Sequence, residues 1–258
     1  MARNYLRPES LNKLCEEIKG YEGKIIPLFG ILNRSELNMD QILLLDLQDS
    51  GLDQVEYASG EARIGSCIFL EDLLELFPDN PTWSEMIKRE YNQNQRNQIR
   101  LGGVIRYKNG RSGLLTTLLA LDADLEFFYP SGIKASLGDY LVFRNQYQNH
   151  VLLRVSIPYE RIIFRFEAIR RTPVDLPIVC VALARWRSGR IRVCLGGYGD
   201  SPIMVYDARG FDGIQNAVKD AFSDATDFWA SSEYRSNMAV LLTDRILESV
   251  LNEEKYVE

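Results

Sequence analysis

The chain has 258 residues, of which 46% are hydrophobic and 26% charged, with a net charge of −6 and a pI near 5.1. That length and apolar content allow one large core or two of ordinary size. The mild acidity gives no electrostatic footprint for nucleic acid or for anionic membrane surfaces, and no apolar run approaches the roughly 18–20 residues that span a bilayer.

In chain order, residues 8–19 predict a short amphipathic helix. Leu11, Leu14, Cys15 and Ile18 fall on one face, with Pro8 in the first turn and Gly20 at the stop. Lys24–Leu28 reads as a strand that turns at Phe29-Gly30. Gln41–Leu47 is nearly continuous apolar, the pattern of a strand buried on both faces of a parallel sheet. Val55 and Tyr57, then Ala62, Ile64 and Ser66, alternate about Ser59-Gly60 and predict an antiparallel hairpin. Leu70, Leu73, Leu74 and Phe77 predict a helix ended by Pro78. Trp83, Met86, Ile87 and Tyr91 predict a second, and Leu114–Leu121 a third. Leu125–Tyr129 and Val151–Val155 read as strands, the latter ended by Pro158.

A domain boundary is expected near 158–160. Beyond it Ile162, Phe164 and Phe166 alternate, and Val179–Trp186 and Arg190–Leu195 flank the turn Ser188-Gly189 as a hairpin. Two helices, one with Ile214, Ala217, Val218, Ala221 and Phe222 and one from Tyr234 to Leu251, close the chain. The pattern is that of an α+β chain in two packed units, residues 1–158 and 159–258.

Little of the sequence is arranged for catalysis. Met1–Arg7 has no apolar stretch behind its arginines, so a secretory leader is not expected. The four cysteines, Cys15, Cys67, Cys180 and Cys194, form no CxxC pair; buried inert thiols in a reducing cytoplasm are expected, without a zinc or iron–sulfur site in this chain. His150 is the single histidine and reads as a loop residue beside a strand. Asp122 and Asp124 lack the further oxygen donors a cation needs and read as solvated caps. Gly196-Gly197 reads as a structural strand end.

Arg100-Leu101-Gly102-Gly103 is different. Paired glycines let a backbone approach a ligand and point N–H groups at an anion, and Arg96, Arg100, Arg106, Lys108 and Arg111 crowd the same stretch. A phosphate or pyrophosphate cradle and a plain glycine turn with a solvated basic edge are both consistent with it.

Several runs, in order, resemble the medium, FAD-binding subunit of molybdenum hydroxylases, the family of the carbon monoxide dehydrogenase flavoprotein and the FAD-binding part of xanthine dehydrogenase. Leu28-Phe29-Gly30-Ile31-Leu32-Asn33 stands where the family has its first glycine-rich loop, followed by Leu44-Leu45-Asp46-Leu47 for the Ile-Asp-Leu strand. Ile64-Gly65-Ser66 resembles Ile-Gly-Ala, and Arg96-Asn97-Gln98-Ile99-Arg100-Leu101-Gly102-Gly103-Val104 keeps the spacing of Arg-Asn-x-Ala-Thr-Ile/Leu-Gly-Gly-Asn. Arg170-Arg171 with Asp175 resembles the family's Arg-Arg-x-x-Asp.

The resemblance implies a PCMH-type FAD-binding fold of two α/β lobes, then a small antiparallel sheet with packed helices. It implies FAD held by Gly30, Asn33, Arg96, Asn97, Arg100, Leu101, Gly102 and Gly103, and iron–sulfur and molybdenum cofactor subunits as partners. The cofactor loops depart from the family. The first keeps only Gly30 among Leu28, Phe29 and Ile31; Ile99 and Arg100 replace a small residue and a threonine; Val104 replaces an asparagine; and the segment after it has no aspartate. Two readings follow. One is a flavoprotein subunit passing electrons from iron–sulfur centres through FAD to an external acceptor. The other is a non-catalytic relative that has lost FAD and serves as an assembly or anionic-ligand-binding scaffold.

Overall fold

The computed structural model describes residues 4–19, 21, 23–30, 42–128, 132–159 and 162–254. Their contacts group into two compact units, neither continuous in sequence. One holds Met1–Leu76, Gln93–Tyr107 and Ala123–Pro158; the other holds Phe77–Asn92, Lys108–Asp122 and Tyr159–Glu258. The final crossing falls at Pro158. Two earlier segments, 77–92 and 108–122, group with the C-terminal residues because their helices pack on the C-terminal sheet.

The first unit opens with β1 (Asn4–Leu6), α1 (Leu11–Ile18), β2 (Lys24–Pro27) and β3 (Ile42–Leu45), which form a parallel sheet in the order β1-β3-β2. β3 is central and apolar at every position, as a strand flanked on both edges and covered on both faces requires. Ser10, not Pro8, opens α1: its Oγ accepts the N–H of Lys13, satisfying one of the free donors of the first turn. Gly20 and Gln41 lie outside the described residues, as do Ile31–Asn33 of the first glycine loop.

The second sheet of this unit is antiparallel, with β4 (Val55–Ala58), β5 (Glu61–Gly65), β6 (Asp124–Phe128), β7 (Ile133–Ser136) and β8 (Val151–Pro158) in the order β4-β5-β8-β6-β7. Ser59 and Gly60 have φ of +56° and +79°, the left-handed pair that a tight two-residue hairpin needs. The helix expected over Leu70–Phe77 is only a 3-10 turn, Asp72–Glu75. The chain before it is held in an extended bridge between Phe69 and Arg100 and cannot start a helix there. Short helices α3 (Gln93–Arg96), α4 (Leu101–Tyr107) and α6 (Leu137–Val142) complete the unit.

The second unit is a four-stranded antiparallel sheet, β12-β11-β10-β9, of β9 (Ile162–Ile169), β10 (Val179–Trp186), β11 (Arg190–Gly196) and β12 (Ile203–Arg209). Helices cover both faces, so β10 is buried along most of its length. Val179, Val181 and Leu183 join a core with α7 (Ile214–Asp220) and α8 (Ser232–Glu254). The alternate positions Cys180, Ala182 and Ala184 are small, which lets α5 (Gly113–Ala120) approach: Thr116 Oγ1 lies 3.7 Å from Cys180 Sγ. α2 (Pro81–Glu90), capped by Asn80, packs against α5 and β9. Among the described residues no helix is long and apolar enough to cross a membrane.

Candidate functional site

The first unit brings most of the predicted cofactor residues together. Phe29 O accepts the N–H of Arg100 at 3.0 Å, so the segment ending at Gly30 lies directly against the segment carrying Gly102 and Gly103. Gly30 has φ +78°, and a Cβ there would stand 2.0 Å from Gln98 O, so two chains touch at a point where only glycine fits. Asn33 lies outside the described residues.

The glycine pair does not form a loop. Gly102 and Gly103 are buried within α4. Every backbone N–H from Asn97 to Val104 reaches a backbone carbonyl. Ile99 donates to Gln95 O (2.8 Å), Leu101 to Ile68 O (3.0 Å), Gly102 to Ser66 O (2.8 Å) and Gly103 to Arg100 O (2.9 Å). The space in front of Gly102 is filled by Phe29: a Cβ on the glycine would stand 2.7 Å from the ring carbons. Glycine at this position therefore admits an aromatic side chain of the same chain.

The cations that crowd this stretch of sequence do not converge. Arg96 Nε donates to Glu71 Oε2 at 2.6 Å. Arg100 is 8% exposed, donates from Nη1 to Cys67 O at 2.8 Å and stacks 4.3 Å from the Phe69 ring centroid. Arg106 donates to Gln148 O. Lys108 lies over the Tyr91 ring, and Arg111 donates to the carbonyls of Leu176 and Pro177. Each is engaged by a different structural partner.

Elsewhere, Asp122 is an ion-pair partner. With φ +58° it meets Arg190 and Arg192, and both arginines also hold Asp207. Gly197 has φ +111°, donates its N–H to Gly110 O and accepts from Arg235, a strand end fixed by chain contacts. Cys67, Cys180 and Cys194 are buried and Cys15 is half-buried. Burial pushes the Cys67 thiol up to about 11 and Cys180 up to about 12, so all but a trace of either stays protonated at neutral pH. His150 sits just before β8 against Phe127 and Tyr147, and burial lowers its pKa. No group of three or more His, Cys, Asp and Glu side chains among the described residues is placed to hold a metal ion. One feature escaped the sequence reading: Arg170, singled out only as part of a motif, carries buried guanidinium nitrogens without hydrogen-bond partners.

No protein-family model matches the chain. Uncharacterized protein YgfM of Escherichia coli (strain K12) is 28% identical over 229 residues, covering 87% of this chain and 86% of that protein, and YgfM of E. coli O157:H7 matches equally. Among solved structures, the chain is similar to a chain of quinoline 2-oxidoreductase from Pseudomonas putida 86, with a TM-score of 0.74, 19% identity and 96% of each chain covered. It is similar to a chain of reconstituted CO dehydrogenase from Oligotropha carboxidovorans, with a TM-score of 0.77 and 19% identity over 96% of this chain and 97% of that one. A chain of carbon monoxide dehydrogenase from Hydrogenophaga pseudoflava gives 0.74 at 16% identity, with 96% of each chain covered. The α+β architecture, parallel and antiparallel sheets with packed helices, is the PCMH-type FAD-binding fold of these structures.

Proposed function

We propose that this chain is a non-catalytic relative of the FAD-binding subunits of molybdenum hydroxylases, one that no longer holds the flavin and serves as a scaffold for assembly or for an anionic ligand. The observation that carries this reading is the state of the glycine pair. A pyrophosphate needs unengaged donors and an open backbone face. Here the N–H groups from Asn97 to Val104 are bonded within the chain, and Phe29 stands where a ligand would approach Gly102. The arginines that offer replacement charge at this segment, Arg96 and Arg100, are held by Glu71 and by the Cys67 carbonyl. On this geometry the described residues do not fit FAD.

The second reading is a working flavoprotein subunit of an oxidoreductase, taking electrons from iron–sulfur centres to an external acceptor through FAD. What favours it is a likeness that runs along nearly the whole of both chains. Under either reading we place residues 1–158 as the FAD-binding-like domain, apart from 77–92 and 108–122, which group with the C-terminal domain of 159–258, and the partners as iron–sulfur and molybdenum cofactor subunits. The buried thiols favour a reducing cytoplasm. The test is purification from the native host under conditions that retain partners. A colourless chain that co-purifies with such subunits fits the scaffold; flavin absorption in stoichiometric amount fits the flavoprotein.

A further inference from the structure

Two loops of the C-terminal unit hold apolar side chains out in solvent on fixed supports. The first joins α7 to α8. Asp227 Oδ1 accepts the N–H groups of Trp229 at 2.8 Å and Ala230 at 3.1 Å, and Nη2 of the buried Arg235 at 2.6 Å. Thr226 Oγ1 accepts the N–H of Ser232 at 3.0 Å and closes the loop onto the start of α8. Phe228, at the centre of this loop, is 90% exposed. The second loop joins β9 to β10. Thr172 donates its N–H to Asp175 Oδ2 and accepts the N–H of Asp175 on its carbonyl, and Val174 between them is 86% exposed. Both loops belong to the same compact unit.

Trp229 joins the two. Its ring centroid lies 4.9 Å from Cζ of Arg171 and 4.4 Å from Cζ of Arg111, and its ring meets that of Phe228 edge-on at 5.7 Å. Arg111 also donates to the carbonyls of Leu176 and Pro177 in the second loop. With both guanidiniums against it the tryptophan is still 38% exposed. An aromatic ring as exposed as Phe228 adds almost nothing to a core, yet the loop around it is held by side-chain hydrogen bonds on both sides. Order fixed before contact lowers the entropy cost of docking, and aromatic and arginine anchors carry most of the energy of protein interfaces.

Charge chooses the occupant. The charged groups that act on Arg111 are Arg171 and Arg235 against Asp227 and Asp175. Asp227 is already the counter-ion of the buried Arg235, and Asp175 caps its own turn. Arg111 and Arg171 meet no carboxylate among the described residues; their partners are carbonyls and the Trp229 ring. The surface therefore keeps positive charge in a chain whose net charge is −6. A two-fold contact with a second copy would set these cations against themselves. An anionic membrane would repel the rest of the chain.

We propose that Phe228, Trp229, Val174, Arg111 and Arg171 form a docking surface for a partner subunit that offers an apolar socket rimmed by carboxylates, with Phe228 as the anchor and Arg171 as the charge contact. The proposal rests on the assembly limb of the scaffold reading and names the surface that assembly uses. The probe is the subunit fraction that co-purifies with the full chain from the native host, separated from it and re-bound to wild-type and variant chains. Capture alone is not the readout; the readout is its loss in the variants. Wild-type binding should weaken as ionic strength rises. Phe228→Ala should weaken it by about thirtyfold or more, and Arg171→Glu by about tenfold with a flatter salt dependence. Both positions are exposed, so melting temperatures should stay at the wild-type value. Affinities within about twofold of wild type in both variants, or a chain that retains no subunit, overturn the proposal. So does self-association, or adsorption to phosphatidylserine vesicles, that Phe228→Ala abolishes. A colourless chain whose subunit binding ignores both variants removes this surface and keeps the scaffold. FAD binding in a chain whose subunit binding needs Phe228 keeps this surface and removes the scaffold reading.

Discussion

The ring of Phe29 lies against Gly102, so close that a Cβ on the glycine would stand 2.7 Å from ring carbons Cε1 and Cζ. Phe29 is 1% exposed and belongs to the core formed by α1, the parallel sheet and the start of β8. The contact joins two segments that the family resemblance assigns to the FAD site. In this chain those segments are packed together.

That packing predicts coupling. Gly102→Ala should destabilise by about 1–3 kcal/mol through overpacking. Phe29→Ala should destabilise by about 3–5 kcal/mol through the cavity it leaves. In the double variant the alanine methyl enters the vacated space, so the summed loss should fall short of additivity by about 1 kcal/mol or more. Urea denaturation of the four chains measures it. Strict additivity would show that the ring does not occupy the space over Gly102.

Arg100 should behave as a structural residue. Arg100→Ala removes the donor to the buried Cys67 carbonyl and the stack on Phe69, and should lower stability by about 1–3 kcal/mol. Arg100→Thr, which restores the family's residue type, should be destabilised to a similar extent. Thermal melts of the two variants settle this; unchanged melting in both would mean that the guanidinium is not engaged as described.

How far the sequence foretold this arrangement varies from element to element. β3 was legible because a strand covered on both faces must be apolar throughout, and the β4–β5 and β10–β11 hairpins because Ser59-Gly60 and Ser188-Gly189 interrupt clear alternation. β12 was not legible: it is a sheet edge whose side chains are exposed or half-buried along its length, so alternation is lost. The apolar spacing of Leu70–Phe77 misled, since those side chains are mostly buried by a chain that is only partly helical. The glycine pair was visible at once, but periodicity and composition do not reveal what fills the space beside a glycine. That depends on a tertiary contact with Phe29, distant in sequence.

Arg235 is fully buried and donates to the carbonyls of Ile178 and Gly197 and to Asp227 Oδ1. It fixes the start of α8 to the ends of β10 and β11. Arg235→Leu should destabilise by about 3–5 kcal/mol, because two carbonyls lose their donor and Asp227, which keeps the N–H groups of Trp229 and Ala230, loses its counter-charge. Arg235→Lys should recover part of that loss. Chemical denaturation is the measurement, and a loss under 1 kcal/mol in the leucine variant would contradict the role.

The network of Arg190, Arg192, Asp122 and Asp207 gives a pH dependence with a definite sign. The hydrogen-bonded Arg190 guanidinium, helped by Arg192, holds Asp207 below its usual value of 3.8. A carboxylate with a depressed folded pKa contributes stability that is fully present above the unfolded value and is lost as pH falls through the folded one. The stability gap between the wild-type chain and Asp207→Asn should therefore be constant from neutral pH down to about 4 and shrink below it. Denaturation curves of both chains across that range test it; a gap that widens with acid would reverse the assignment.

The most direct test of the scaffold reading is a titration of the purified chain with FAD, alone and with any co-purifying subunits, followed by flavin fluorescence and calorimetry. The closed glycine segment predicts no saturable binding at high micromolar FAD in either sample. Stoichiometric binding, above all binding that Phe29→Ala does not improve and Gly102→Ala abolishes, would contradict it and restore the flavoprotein.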